Sequence, residues 1–181
     1  MRVGIGYDVH RLVSSRKLFL GGLEIPYHKG LLGHSDGDVL LHAICDALLG
    51  AISEGDIGTH FPDSDMTIKG IESVEILSFV ANLLSKKGFE VKNIDAVVVA
   101  EEPKIFPYRK AICENIALAL GIDADQVGLK GKTTEGLGFT GTKEGVAAYA
   151  VALVEKKSTD WWSLSGDVGM PPPDDAPKRR K

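Results

Sequence analysis

Cysteine, long apolar runs and excess positive charge are all scarce in this chain of 181 residues, and each shortage removes a class of protein. Cys45 and Cys113 are the two cysteines. Both lie in apolar helical patterns, so buried free thiols are expected rather than a disulfide framework. There is no stretch of about 20 apolar residues, as a membrane span requires. The opening MRVGIGYDVH has no apolar run of signal-peptide length. The expectation is a reducing, cytoplasmic, bacterial setting with no membrane partner. Formal net charge is −4, which argues against a broad basic surface for nucleic acid. An anionic ligand would need local help from metal ions, backbone N–H groups or helix ends. No internal repeat is present. A phosphate-binding loop of the Walker type also fails: in GLKGKTTEG, Gly128 lies three residues before Gly131 rather than five.

What is present is the balance of an ordinary globular protein, 44% hydrophobic and 25% charged. The length suits one domain with a real core. Alternation predicts a first strand over residues 2–8 and a hairpin over 17–25, turning at Gly21-Gly22. A loop rich in Gly, His and Asp covers 26–37. A helix apolar almost all round follows over about 38–49, capped by Asp36 or Asp38 and stopped by Gly50. Residues 51–70 form a long loop, a length that is usually functional or disordered. Further helices are expected over 71–87 and 108–120, and further strands over 94–101, 127–133 and 145–155. From Ser158 the composition changes, with Trp161-Trp162, three consecutive prolines and a terminal KRRK. Residues 1–157 are expected to form the domain. Residues 158–181 read as a disordered or appended tail, or alternatively as a partner-binding peptide.

Four groups of residues have the types that chemistry needs. Asp8 and His10 point to one side if the chain stays extended, giving half of a zinc site; alone, such a pair is a weak signal that more often marks an N-cap or a turn. Asp38, His42 and Asp46 lie along one edge of the apolar helix at i, i+4 and i+8. His42 is the natural third ligand, and Asp46 is suited either to hold its imidazole in the working tautomer or simply to face solvent. The 51–70 loop carries Asp56, Gly58, Phe61, Asp63 and Asp65, suited to hydroxyl recognition and to a cover over substrate. Finally, Lys130 to Gly141 combines glycines with Thr133, Thr134 and Glu135, so backbone can approach a phosphate closely.

GYDVHR, GLLGHSDGDVLLHAICDALLGA, GDIGTHFPDSD, AEEPKIFP and KTTEGLGFTG occur in this order between residue 1 and about 157. Together they resemble the 2-C-methyl-D-erythritol 2,4-cyclodiphosphate synthase family. The resemblance implies an α+β fold, with helices packed on one face of a mixed β-sheet. It also implies a homotrimeric ring whose active sites lie between subunits. One zinc per subunit would be held by Asp8, His10 and His42, and a second divalent ion, magnesium or manganese, by Glu135. His34 and Thr133 would stabilise the transition state. Ser35, Asp56, Gly58, Phe61, Asp63 and Asp65 would form the sugar-phosphate pocket. Ala100, Pro103, Lys104, Ile105 and Phe106 would line the cytidine site, with Thr134 and Phe139 also contacting substrate. The implied small-molecule partner is a cytidine diphosphate compound, 4-diphosphocytidyl-2-C-methyl-D-erythritol 2-phosphate, cyclised with release of CMP.

The sequence departs from some members at Thr142 and Tyr149, which replace an Arg and a Glu facing a central trimer cavity able to hold an isoprenoid diphosphate. Lys143 partly restores the lost charge, but the change argues against feedback binding there. Two other readings use the same residues: a zinc phosphohydrolase with an open-chain product, and a trimeric scaffold that displays the tail.

Overall fold

A computed structural model of the protein describes residues 1–62 and 70–157. Asp63, Asp65 and the tail from Ser158 lie outside the described residues. The order of elements is β1 (Arg2–Val13), β2 (Leu18–Leu20), β3 (Leu23–Ile25), β4 (Gly30–Leu31), α1 (Val39–Ala51), α2 (Ile57–His60), α3 (Ser73–Lys86), β5 (Phe89–Val99), α4 (Arg109–Leu120), β6 (Val127–Lys132), α5 (Gly138–Gly141) and β7 (Gly145–Lys156). Five strands form one sheet in the order β4-β1-β7-β5-β6, and β2 and β3 form the hairpin. The β5–β6 pair is parallel and the other pairs of the large sheet are antiparallel. The sheet is therefore mixed, and α4 supplies the crossover that a parallel pair requires.

The helices cover one face. β7 turns Val146, Ala148, Ala150, Ala152 and Val154 into the core, and β5 adds Val91, Ile94, Ala96 and Val98. A register shift between Val91 and Asn93 keeps this inward set in phase. Against these mostly small side chains lies α1, with ten of its thirteen residues buried. The expectation from its all-round apolar pattern holds. Each of its fully buried leucines, such as Leu41 and Leu48, contributes about 1.5–3 kcal/mol.

What sets the depth of this packing is glycine. A Cβ on Gly4 would lie 1.9 Å from the Ala47 carbonyl oxygen, and one on Gly6 would lie 1.9 Å from that of Ala43. The backbone of α1 therefore rests directly on the backbone of β1.

Several boundaries differ from those read off the sequence. β1 continues to Val13 instead of ending at residue 8, because β7 pairs with it through Arg11 and β4 takes over at Leu12. α1 passes through Gly50 to Ala51, since packing against β1 outweighs the weak helix propensity of one glycine. β5 starts at Phe89 rather than 94, extended by pairing with the end of β7. The 51–70 loop contains the one-turn helix α2. The hairpin turn is as expected, with Gly21 and Gly22 at φ 64° and 72°, the left-handed values a two-residue turn demands. Of the two proposed caps, Asp38 fills the role, accepting the N–H groups of Leu40 and Leu41.

Substituting Gly6→Ala should destabilise the fold by about 3 kcal/mol, the upper end of ordinary overpacking, because the clash is with backbone. A lowered denaturation midpoint measures this. An unchanged midpoint would show that α1 can lift from the strand.

Candidate active site

Alternation along β1 puts Gly4, Gly6, Asp8 and His10 on the face that meets α1. The two glycines let the helix approach, and the next inward pair then lies beside its first turns. His42 projects from α1 toward them. Asp8 Oδ2 is 2.9 Å from His10 Nε2 and 2.9 Å from His42 Nδ1, and the two ring nitrogens are 3.1 Å apart. Among the described residues this is the one cluster of His, Cys, Asp or Glu with metal-ligand geometry.

The cluster fits a tetrahedral ion. Bonds of about 2.0 Å from a zinc ion place neighbouring ligand atoms roughly 3.3 Å apart. Two imidazoles and a carboxylate are also the donor set such an ion takes. The side chains are 24%, 18% and 14% exposed for Asp8, His10 and His42, so one side of the triangle stays open. Burial alone would push the Asp8 carboxyl up, but hydrogen bonds and charge from His10 and His42 hold it well below the usual carboxylate range. Burial opposes a charged His42, yet Asp8 raises its pKa overall. These opposing demands are those of a site that concentrates negative charge for a cation.

The open side faces a cavity of about 590 Å³. His34, Gly58 and Phe61 line it beside the three ligands. His34 is carried by the loop after β4, which Arg16 clamps by donating to the carbonyls of Gly33 and Ser35 at 2.6 and 2.5 Å. Phe61 is braced edge-on against Phe79. Asp56 caps α2, accepting the Thr59 N–H and hydroxyl at 2.9 and 2.8 Å.

A second cavity, of about 600 Å³, opens where β5 and β6 end. Ala100, Pro103, Lys104, Ile105, Phe106, Thr133 and Glu135 line it, as do Arg109, Lys130 and Lys132. Its cationic groups suit an anion. Lys130 is already paired with Asp95. The Thr133–Gly136 turn is held by Glu101, whose Oε1 accepts the N–H groups of Thr134 and Gly136 at 2.9 and 3.3 Å. Thr133 donates to Glu135 Oε1 at 2.6 Å.

Some expected residues are placed differently. Asp46 does not orient His42: its Oδ1 accepts the Ile57 N–H at 2.8 Å and so anchors α2. The far nitrogen of His42 instead meets Ser73 Oγ at 3.0 Å and Ser35 Oγ at 3.1 Å. Ser35 is thus buried behind the metal ligand rather than lining the sugar-phosphate side. Asp38 is also buried, tying α1 to the hairpin by accepting the Gly22 N–H. Neither Thr134 nor Phe139 lines the second cavity; Thr134 Oγ1 lies 2.9 Å from Thr140 Oγ1, and the Phe139 ring lies against Gly145. Lys143 is paired with Glu102, and Tyr149 packs at a tilt against Tyr7 with centroids 4.7 Å apart. Sequence reasoning missed Arg16, Ser73 and Glu101. Each works by a contact to a residue distant in the chain, for which no local pattern exists.

The YgbB family model matches residues 1–155. Among curated proteins, the 2-C-methyl-D-erythritol 2,4-cyclodiphosphate synthase of Geotalea uraniireducens (strain Rf4) is 58% identical over 157 residues, covering 87% of this chain and 100% of that one. The synthase of the same name from Clostridium perfringens strain 13 is 56% identical over 156 residues, covering 86% of this chain and 100% of that one. Among solved structures, the bifunctional IspDF from Campylobacter jejuni superposes with a TM-score of 0.83 at 42% identity, over 86% of this chain and 42% of that one. An IspF–CDP complex from Plasmodium falciparum gives 0.77 at 39%, over 87% and 97%.

Replacing His42 with alanine removes one corner of the ligand triangle. The variant should fold, by circular dichroism, yet retain no stoichiometric zinc in elemental analysis. Full zinc occupancy would refute the ligand assignment.

Proposed function

Because this chain belongs to the YgbB family, we propose that its active site carries out that family's reaction with the residues described above. The reaction closes 4-diphosphocytidyl-2-C-methyl-D-erythritol 2-phosphate to 2-C-methyl-D-erythritol 2,4-cyclodiphosphate and releases CMP, a step of non-mevalonate isoprenoid synthesis. The observation that carries the assignment of residues is the convergence of Asp8, His10 and His42 on one point.

In the reaction, an oxygen of the substrate's own 2-phosphate forms a bond to the nearer phosphorus of the diphosphate. The bond from that phosphorus to the CMP oxygen breaks. No water is consumed and no protein nucleophile is needed, so the protein must fold the substrate and neutralise charge. Zinc at Asp8, His10 and His42, with a second divalent ion at Glu135, supplies Lewis-acid polarisation of phosphate oxygens when bound. His34 donates a hydrogen bond where charge develops, worth about 3 kcal/mol of barrier, and Thr133 takes the same role when its hydroxyl turns from Glu135 to the substrate. Asp56 accepts from a substrate hydroxyl with the carboxylate that already caps α2. Asp63 and Asp65 are assigned to the same sugar-phosphate pocket. Thr134 and Phe139 border the nucleotide end. We assign the cytidine to the cavity of Ala100 to Phe106, with Lys104 toward its phosphates; the Plasmodium falciparum relative, solved as a CDP complex, supports a cytidine nucleotide as the ligand.

The two cavities divide the work between a metal half and a nucleotide half. We assign them to sites completed between neighbouring subunits of a homotrimer. Support comes from the sheet face away from the helices, where Val3, Ile5, Tyr7, Val9, Tyr149 and Val151 are 41–73% exposed, an apolar area of the kind that marks association. Residues 1–157 are the catalytic unit in this reading. Among the described residues, no helix is long and apolar enough to cross a membrane.

Incubated with substrate, the protein should give equimolar CMP and cyclic product by phosphorus NMR, and neither after chelator treatment. An open-chain phosphate product would instead indicate a hydrolase.

Mixed assemblies test the shared site. Glu135→Ala should keep its zinc but lose turnover. Co-refolding it with His42→Ala should restore activity at about a quarter of the sites, the random-mixing value for a two-part site. No recovery in mixed trimers would place each site within one chain.

A further inference from the structure

His42 gives Nδ1 to the metal cluster and turns Nε2 inward, 3.0 Å from Ser73 Oγ and 3.1 Å from Ser35 Oγ. Both serines are buried, Ser73 completely. Behind Ser73 stands Asp36. The Ser73 hydroxyl donates to Asp36 Oδ1 at 2.5 Å, and the Ser73 N–H donates to Asp36 Oδ2 at 3.1 Å. Asp36 is itself fixed: its N–H donates to the Ile71 carbonyl, and its Oδ1 also accepts the Asp38 N–H at 3.1 Å.

The direction of these bonds follows from what each group can do. An ionised carboxylate only accepts. The single proton of the Ser73 hydroxyl is therefore committed to Asp36, and Ser73 Oγ offers only lone pairs to the imidazole. Ser35 Oγ already accepts the Gly37 N–H at 3.0 Å and lies 3.3 Å from Ser73 Oγ, so its proton has Ser73 as an acceptor. Nε2 of His42 must then be the donor. A neutral imidazole that carries its proton on Nε2 has a lone pair on Nδ1, the nitrogen facing Asp8 and His10.

We propose that Asp36, acting through Ser73, is a positioning residue for the metal centre: it holds His42 in the Nε2-protonated form and so presents Nδ1 to the ion. The proposal rests on reading Asp8, His10 and His42 as that centre. Histidine ligands are commonly held by a carboxylate or carbonyl at their other nitrogen; here a serine hydroxyl is interposed. The carboxylate that a helical spacing suggests, Asp46, is engaged with α2. The relay also joins three elements: Asp36 precedes α1, Ser73 opens α3, and His42 projects from α1. The start of α3 thereby becomes part of the metal centre.

Zinc affinity of the full-length protein, by chelator competition, tests the relay. The His42 Nε2 proton is followed in parallel by 15N-resolved NMR of the zinc-loaded protein. Ser73→Ala should weaken zinc binding by about tenfold or more, and the Nε2 proton should exchange faster with solvent. Asp36→Asn, which can still accept from the hydroxyl but lacks the charge, should show a smaller loss of the same sign. It decides alone if Ser73→Ala does not fold. Unchanged affinity in either folded variant overturns the proposal. So does weakened affinity with an unaltered Nε2 proton, which would mean a merely structural role. Failure of the wild type to bind zinc is a different result: it removes the metal-centre reading itself, and the relay with it.

Discussion

The closest constraint in the molecule is the contact of helix backbone with strand backbone where α1 crosses β1. It exists because Gly4 and Gly6 have no side chain to hold the helix away. Everything chemical follows from that short distance. An ordinary side chain at either position would push α1 outward, and His42 would no longer reach Asp8 and His10. The alanines of β7 serve the same end, providing a flat floor of Ala148, Ala150 and Ala152 under the helix. Dense packing of this kind transmits displacement rather than absorbing it. The metal cluster is thus held to its 2.9–3.1 Å spacing by the core beneath it.

The site answers an electrostatic difficulty. A chain of net charge −4 must receive a substrate that carries several phosphate charges. It does so by sorting its own charges. Acid and imidazole are gathered at one cavity, where they favour a cation. Lysine and arginine line the other, where they favour an anion directly. Between the two functions the rigid elements differ as well. The cavity of Asp8, His10 and His42 is built on a strand and a helix, which hold position well. The cationic cavity is built on the loops that follow β5 and β6, tied together by Glu101. The exposed apolar face of the sheet is a separate matter, since it uses the outward residues of the same strands that turn Asp8 and His10 inward.

Much of this was legible from residue order. The two-residue glycine turn and the buried character of α1 follow from local rules, whereas the segment Ala100 to Phe106 is marked only by the family resemblance. Those rules depend on period, backbone freedom and capping. Element ends were less legible. β1 and β5 extend as far as their partners allow, and α1 runs past Gly50, because pairing and packing energies exceed local propensity.

The sequence by itself determined which residue types were available, which of them shared a face, and the family they spell out. A D-x-H on an extended segment and a histidine on an apolar helix each offered a side that could serve a metal, without requiring one. Only the tertiary structure decided how those sides meet and what stands behind them. Asp46 has the helical spacing to support His42, yet α2 takes its carboxylate. Ser73 and Asp36 have no periodic relation to His42, yet Ser73 meets its far nitrogen and Asp36 holds Ser73. Spacing along a chain fixes direction within one element, whereas a hydrogen bond between elements depends on their separation and angle. Those are set by packing over the whole core and are written at no single position.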